Sequence, residues 1–138
     1  MTNQPKSSKA MHYSLWSVQI VLAASLMWAA WMKLVQPIDQ LASMWPWAGQ
    51  VPIALVKFTG VVDLIGALGL IMPSLFQIRP KLTPVAAVAL VGLMLCAGLF
   101  HVMRGEASAI GVNSMFAILA AFVAWGRLKK APIAPRYK

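Results

Sequence analysis

The sequence predicts an all-α integral membrane protein, a four-helix up-down bundle, and three observations carry that expectation. Hydrophobic residues make up 60% of the 138-residue chain and charged residues 11%, against roughly half and about a quarter in an ordinary soluble domain. The apolar residues fall in four long runs and lack the 3.6- or 2-residue alternation of a half-buried soluble element. Prolines stand at the ends of these runs, and ten of the twelve Lys and Arg residues lie outside them.

The runs cover residues 15–35, 52–72, 84–102 and 110–126. At ~1.5 Å per residue the first three reach roughly 28 to 32 Å, enough for a ~30 Å hydrocarbon core, and the fourth is short but adequate. Unpaired backbone groups cost several kcal/mol each in lipid, so the spans must be helices or a closed barrel, and the dyad alternation of barrel strands is missing. Pro37 follows the first run, Pro52 opens the second and Pro73 is expected to close it. Pro80 and Pro84 flank the third, and Pro132 and Pro135 block extension of the fourth. Between the first two runs, Ile38, Leu41, Ala42 and Trp45 recur at helical spacing. A short interfacial helix or a tryptophan-anchored loop both fit there. Lys6 and Lys9 before an apolar run resemble a secretory signal, but the run is about 20 residues long and lacks a small-x-small cleavage site, so it reads as a retained span. Residues 1–138 form one transmembrane domain with basic tails at 1–14 and 127–138.

A net charge of +9 invites comparison with nucleic-acid binders. The cations, however, sit in short clusters between apolar blocks with no recognition motif, so no nucleic-acid partner is expected. Their distribution sets topology instead. Lys6, Lys9, Arg79, Lys81, Arg127, Lys129, Lys130, Arg136 and Lys138 fall on one side of the bundle, and Arg104, Lys33 and Lys57 on the other. Both termini are therefore expected in the cytoplasm, in the bacterial cytoplasmic (inner) membrane. Tyr13, Trp16 and Trp125 mark the cytoplasmic boundary; Trp45, Trp47 and Phe100 mark the far one.

Ionisable groups inside a span cost about 2.5 to 3.5 kcal/mol each on insertion scales and so need partners. Asp63 sits about 16 Å down its helix, near mid-bilayer. Lys33, His101 and Asn113 occupy the outer parts of the other three spans, so each helix offers one polar group to the extracytoplasmic half. The second span carries a stripe of Thr59, Gly60, Asp63, Gly66 and Ala67, whose small members admit a neighbouring helix. The third has its own small face in Ala89, Gly92 and Cys96. Lys33, Asp63, His101 and Asn113 then form either a buried polar cluster that sets helix register or the wall of a small pocket for a polar head group or a proton relay. Lys57 reads as an interfacial anchor whose amine snorkels to the head groups. Arg104 and Glu106 read as a solvated loop pair, with a lid over the pocket as the alternative. Cys96 is the only cysteine and builds no redox pair. No metal is expected, because HxxxH and ExxH spacings are missing and His12 and His101 lie at opposite interfaces.

Three stretches resemble the DoxX-like family of small four-helix bacterial membrane proteins: Trp31-Met32-Lys33-Leu34, the run GVVDLIGALGLIMP from Gly60 to Pro73, and the run GLMLCAGLFHVMRGE from Gly92 to Glu106. The resemblance implies that Lys33, Asp63 and His101 occupy the family's recurring polar positions. The second-span acid is usually glutamate there, and aspartate draws the carboxylate back by about 1.5 Å, one carbon–carbon bond, which weakens the expectation of direct contact with Lys33. Ala30 replaces a frequent glycine. The resemblance also implies the neighbourhood of membrane quinone-reducing, thiosulfate-oxidising or thiol-redox systems. With no cysteine pair and no cofactor motif, the expected function is a non-catalytic membrane subunit or a binder of a quinone-like or lipid head group. A quinone-linked oxidoreductase subunit and an assembly factor for another membrane protein are the alternatives. Partners beyond the lipid bilayer would be another membrane subunit or a second copy of the chain.

Overall fold

The computed structural model describes residues 9–136; Lys6 and Lys138, counted above with the basic tails, lie outside them. The chain forms α1 (Lys9–Val35), α2 (Ile38–Met44), a 3-10 turn (Pro46–Gly49), α3 (Ile53–Phe76), α4 (Leu82–Met103) and α5 (Ala107–Trp125). A π-helical turn, Gly126–Lys130, continues α5. α1, α3, α4 and α5 with its extension are long and apolar enough to cross a membrane. The expected four-helix membrane bundle is therefore present. One end, the tail end, carries Lys9, the α3–α4 turn and residues 131–136, and the other, the loop end, carries α2, the 3-10 turn and the α4–α5 loop.

Packing follows the spacing of the buried residues. In α3 these are Val56, Gly60, Asp63, Ala67, Leu70 and Ser74, successive steps of four and three that keep one seam toward the bundle axis. α1 repeats the pattern with Leu15, Gln19, Leu22 and Leu26. α1 packs most extensively on α3 and α4 on α5, and the α3–α4 and α1–α5 contacts close the ring. The central core of Leu22, Leu26, Leu70, Leu90 and Val123 draws on all four spans and lies in the tail-side half. From Val91 to Leu119 neither α4 nor α5 has a fully buried residue. The loop end has its own smaller core, where Leu41 and Ala48 meet Val56 beneath Trp45 and Trp47. The short interfacial helix is thus formed as α2, and the remainder of the connection is the 3-10 turn.

Pro73 does not close the second span; α3 runs through it to Phe76. Proline removes the N–H that would bond the carbonyl four residues earlier, that of Gly69. Thr83 Oγ1 at the start of α4 donates to the Gly69 oxygen at 3.3 Å, and Ser74 Oγ donates to Thr83 Oγ1 at 2.7 Å. A neighbouring helix thus satisfies the acceptor that proline frees, which a single-chain reading of proline as a helix stop does not capture. α3 instead ends at Gln77, whose left-handed φ of 56° terminates the helix. Pro84 falls inside the first turn of α4, where a missing N–H costs little.

Candidate functional site

Asp63 is only 4% exposed, and its Oδ2 lies 2.7 Å from Lys33 Nζ in the last turn of α1. The short aspartate reaches because the helices meet closely beside it: a Cβ placed on Gly60 would stand 2.9 Å from Lys33 Cβ. The ammonium also lies 5.8 Å and 5.7 Å from the ring centroids of Trp45 and Trp47, within cation–π range. Lys57, expected as a snorkelling anchor, instead donates to the Leu34 carbonyl at 2.9 Å. It caps the C-terminal end of α1, where a cation is favoured. The space lined by Lys33, Gln36, Leu41, Val56 and Lys57 is about 10 Å³, room for about one water.

His101 and Asn113 make no hydrogen bond to this pair. His101 Nδ1 lies 3.2 Å from Glu106 Oε2. Arg104 bridges Glu106 and Gln50, tying the α4–α5 loop to the start of α3. Arg104, hydrogen-bonded to it, holds the Glu106 carboxyl below the usual glutamate range. The Arg104–Glu106 pair, still partly solvated, is also part of a clasp between loops. The clasp and the ion pair communicate through rings, since Trp47 meets Phe100 at 6.1 Å between centroids and Phe100 meets His101 at 5.4 Å. Asn113 Nδ2 is buried without a hydrogen-bond partner. Cys96 is exposed. Among the described residues no three His, Cys, Asp or Glu side chains come together.

The larger opening lies elsewhere. A cleft of about 330 Å³ runs between α3 and α4, lined by Asp63, Gly66, Gly69 and Pro73 on one side and Leu82, Ala86, Ala89 and Leu93 on the other. These residues place it in the tail-side half, with Asp63 at its mid-bundle limit. Of the four polar residues singled out in the sequence, Asp63 alone lines it, and it is the cleft's only ionisable lining residue. Lys33, His101 and Asn113 do not line this cleft. Polar residues mark where charge must be buried, whereas an apolar cleft is left by small residues facing each other.

The sequence profile of the DoxX-like family matches residues 17–123. The chain belongs to the DoxX-like family. No curated protein and no solved structure matches it. The family segment contains Lys33, Asp63, His101 and Asn113 and ends four residues before Arg127, so one polar network of this DoxX-like protein straddles its border.

That network went unread in the sequence. Gln19 is fully buried and Arg127 is 3% exposed. Arg127 Nε donates to Gln19 Oε1 at 2.7 Å, Nη1 donates to the Ala131 carbonyl at 3.0 Å, and Nη1 lies 3.2 Å from His12 Nδ1. Arginine has no acceptor, so His12 Nδ1 must accept, which needs the neutral tautomer with hydrogen on Nε2. Gln19 Nε2 in turn donates to the Leu70 carbonyl at 2.7 Å, linking α1, α3 and the end of α5. The signal was available: His12, Leu15, Gln19 and Leu22 share one face of α1 at heptad spacing, which puts both polar residues on the buried side. Counting Arg127 with its basic neighbours hid it.

Proposed function

We propose that this DoxX-like protein is a non-catalytic membrane subunit that binds one small apolar molecule with a hydrogen-bonding head, quinone-like or lipid, in the cleft between α3 and α4. The observation that carries the reading is the cleft itself. Its volume of about 330 Å³ falls at the lower end of small-molecule sites, which pair apolar walls with a few polar groups. A ring or chain lies against Gly66, Gly69, Ala86 and Ala89, while the head approaches the Asp63–Lys33 pair, the only charge at that depth. The protein resides in the bacterial inner membrane with both termini in the cytoplasm, as the excess of basic residues at the tail end supports. The cleft then opens within the cytoplasmic half of the bilayer.

Titration of a short-chain quinone analogue against the purified protein in detergent, followed by equilibrium binding and thermal unfolding, tests this. Ala89 lines the cleft and is exposed, so Ala89→Phe fills the space without disturbing the core. The variant is expected to unfold at the wild-type temperature and to bind at least about tenfold more weakly, the scale of 1.4 kcal/mol in affinity. Wild-type affinity in Ala89→Phe, or no saturable binding by the wild type of either the quinone or a single-chain lipid, would reject the cleft as the site.

A further inference from the structure

Arg127 is a buried cation with nothing negative beside it among the described residues. Its contacts are the Gln19 amide oxygen, the Ala131 carbonyl, the neutral His12 ring and the Trp16 ring, whose centroid lies 5.5 Å from the guanidinium carbon. The sequence has three acidic side chains. Asp39 lies in α2, Asp63 pairs with Lys33 and Glu106 belongs to the loop-end clasp, so none stands at the tail end. That end also carries the exposed Lys129 and Lys130, and Lys130 Nζ lies 5.4 Å from the Trp125 centroid. Arg127 Nη2 is buried and has no hydrogen-bond partner. Buried charges in membrane proteins pair with one another or with backbone carbonyls and mark functional paths; Arg127 has the Ala131 carbonyl, a spare donor and, among the described residues, no counter-charge. A second feature points the same way. Arg127 sits in the π-helical turn Gly126–Lys130, a rare form that recurs as single turns at functional sites.

We infer that Arg127 is the anchor of a phosphate-binding site at the tail end, filled by the head group of an anionic lipid. The phosphate takes a hydrogen bond from Nη2, and charge-assisted bonds between guanidinium and phosphate are among the stronger ones. Lys129 and Lys130 draw the anionic head group in, as basic pockets between membrane helices do. Nη2 is covered, so a bound phosphate requires local rearrangement around Arg127. The site is independent of the α3–α4 cleft and shares no lining residue with it.

The test uses the full-length protein in neutral detergent at fixed ionic strength, with thermal unfolding measured after adding phosphatidylglycerol, phosphatidylcholine or inorganic phosphate. Phosphatidylglycerol is expected to raise Tm by several degrees more than phosphatidylcholine. Arg127→Met is expected to abolish that difference, and because it leaves Gln19 Oε1 and the Ala131 carbonyl without their donor, it is expected to unfold below the wild-type temperature without lipid. Lys130→Gln is expected to keep most of the difference. Should Arg127→Met fail to fold, Arg127→Lys keeps the charge, lacks Nη2, and is expected to bind phosphatidylglycerol at least about tenfold more weakly, about 1.4 kcal/mol. A rise with both inorganic phosphate and phosphatidylglycerol supports the phosphate chemistry, and a rise with the lipid alone supports recognition of the whole head group. Equal effects of the two lipids, a rise with inorganic phosphate only, or an undiminished difference in both Arg127 variants would overturn the assignment.

Discussion

Removing one member of the Lys33–Asp63 pair strands the other in hydrocarbon, and the size of that effect can be worked from the geometry. At 2.7 Å and an effective dielectric constant of about 20, the gross attraction is ~6 kcal/mol. Desolvation of both groups offsets much of it, so Lys33→Met, which leaves the nearly buried carboxylate unpaired, is expected to cost about 3 to 5 kcal/mol. Replacing both residues, Lys33→Met with Asp63→Leu, removes the stranded charge and is expected to lie within about 2 kcal/mol of wild type. The cycle closed with Asp63→Leu alone should therefore give a coupling clearly above the 0.6 to 2 kcal/mol typical of interhelical hydrogen bonds in membranes. Reversible unfolding in mixed micelles of increasing dodecyl sulfate content measures each variant. Single-variant losses that add to the double-variant loss within ~0.5 kcal/mol would mean the two groups do not act on each other, and the account of Asp63 as shielded by Lys33 would be refuted.

Three further outcomes follow from other contacts. Gly60→Ala places a methyl group 2.9 Å from Lys33 Cβ and is expected to destabilise by about 1 to 3 kcal/mol in the same micelle assay. Thr83→Val leaves the Gly69 carbonyl and the Ser74 hydroxyl unpaired, at about 1 to 3 kcal/mol; Pro73→Ala, which restores the missing N–H, should recover part of that loss when combined with it. Glu106 has its pKa depressed in the folded protein, chiefly by the hydrogen bond from Arg104. Its contribution is therefore complete above the ordinary glutamate value and lost as pH falls through the lowered one. Unfolding of the wild type should grow easier on acidification in that window, and Glu106→Gln should flatten this part of the profile.

Much of the bundle was legible because lipid imposes a simple rule: an apolar run long enough to cross must be a helix, and prolines and basic clusters mark where runs stop. Pro73 broke the rule because its cost depends on a hydroxyl supplied by Thr83 on another helix, a tertiary fact. Asp63 and Lys33 were legible as partners because each is a charge with nowhere else to go. The contact formed despite the shorter acid, since Gly60 brings α1 nearer than an ordinary side chain would allow. His101 was grouped with that pair by depth alone, yet Glu106, five residues on, offers a nearer partner. Arg127 was hidden by its neighbours: in a basic tail every cation looks solvated, and only the facing position of Gln19 distinguishes the buried one. The cleft had no polar marker except Asp63, and the meeting of Gly66 and Gly69 with Ala86 and Ala89 depends on how two helices rotate against each other.

Trp47 touches the Lys33 ammonium on one side and the Phe100 ring on the other. Beside the Arg104–Gln50 bond, this indole therefore joins the hairpin of α1 and α3 to that of α4 and α5 where neither α4 nor α5 has a fully buried residue. A shift of the charge pair would reach the last turn of α4 through edge-to-face ring contacts.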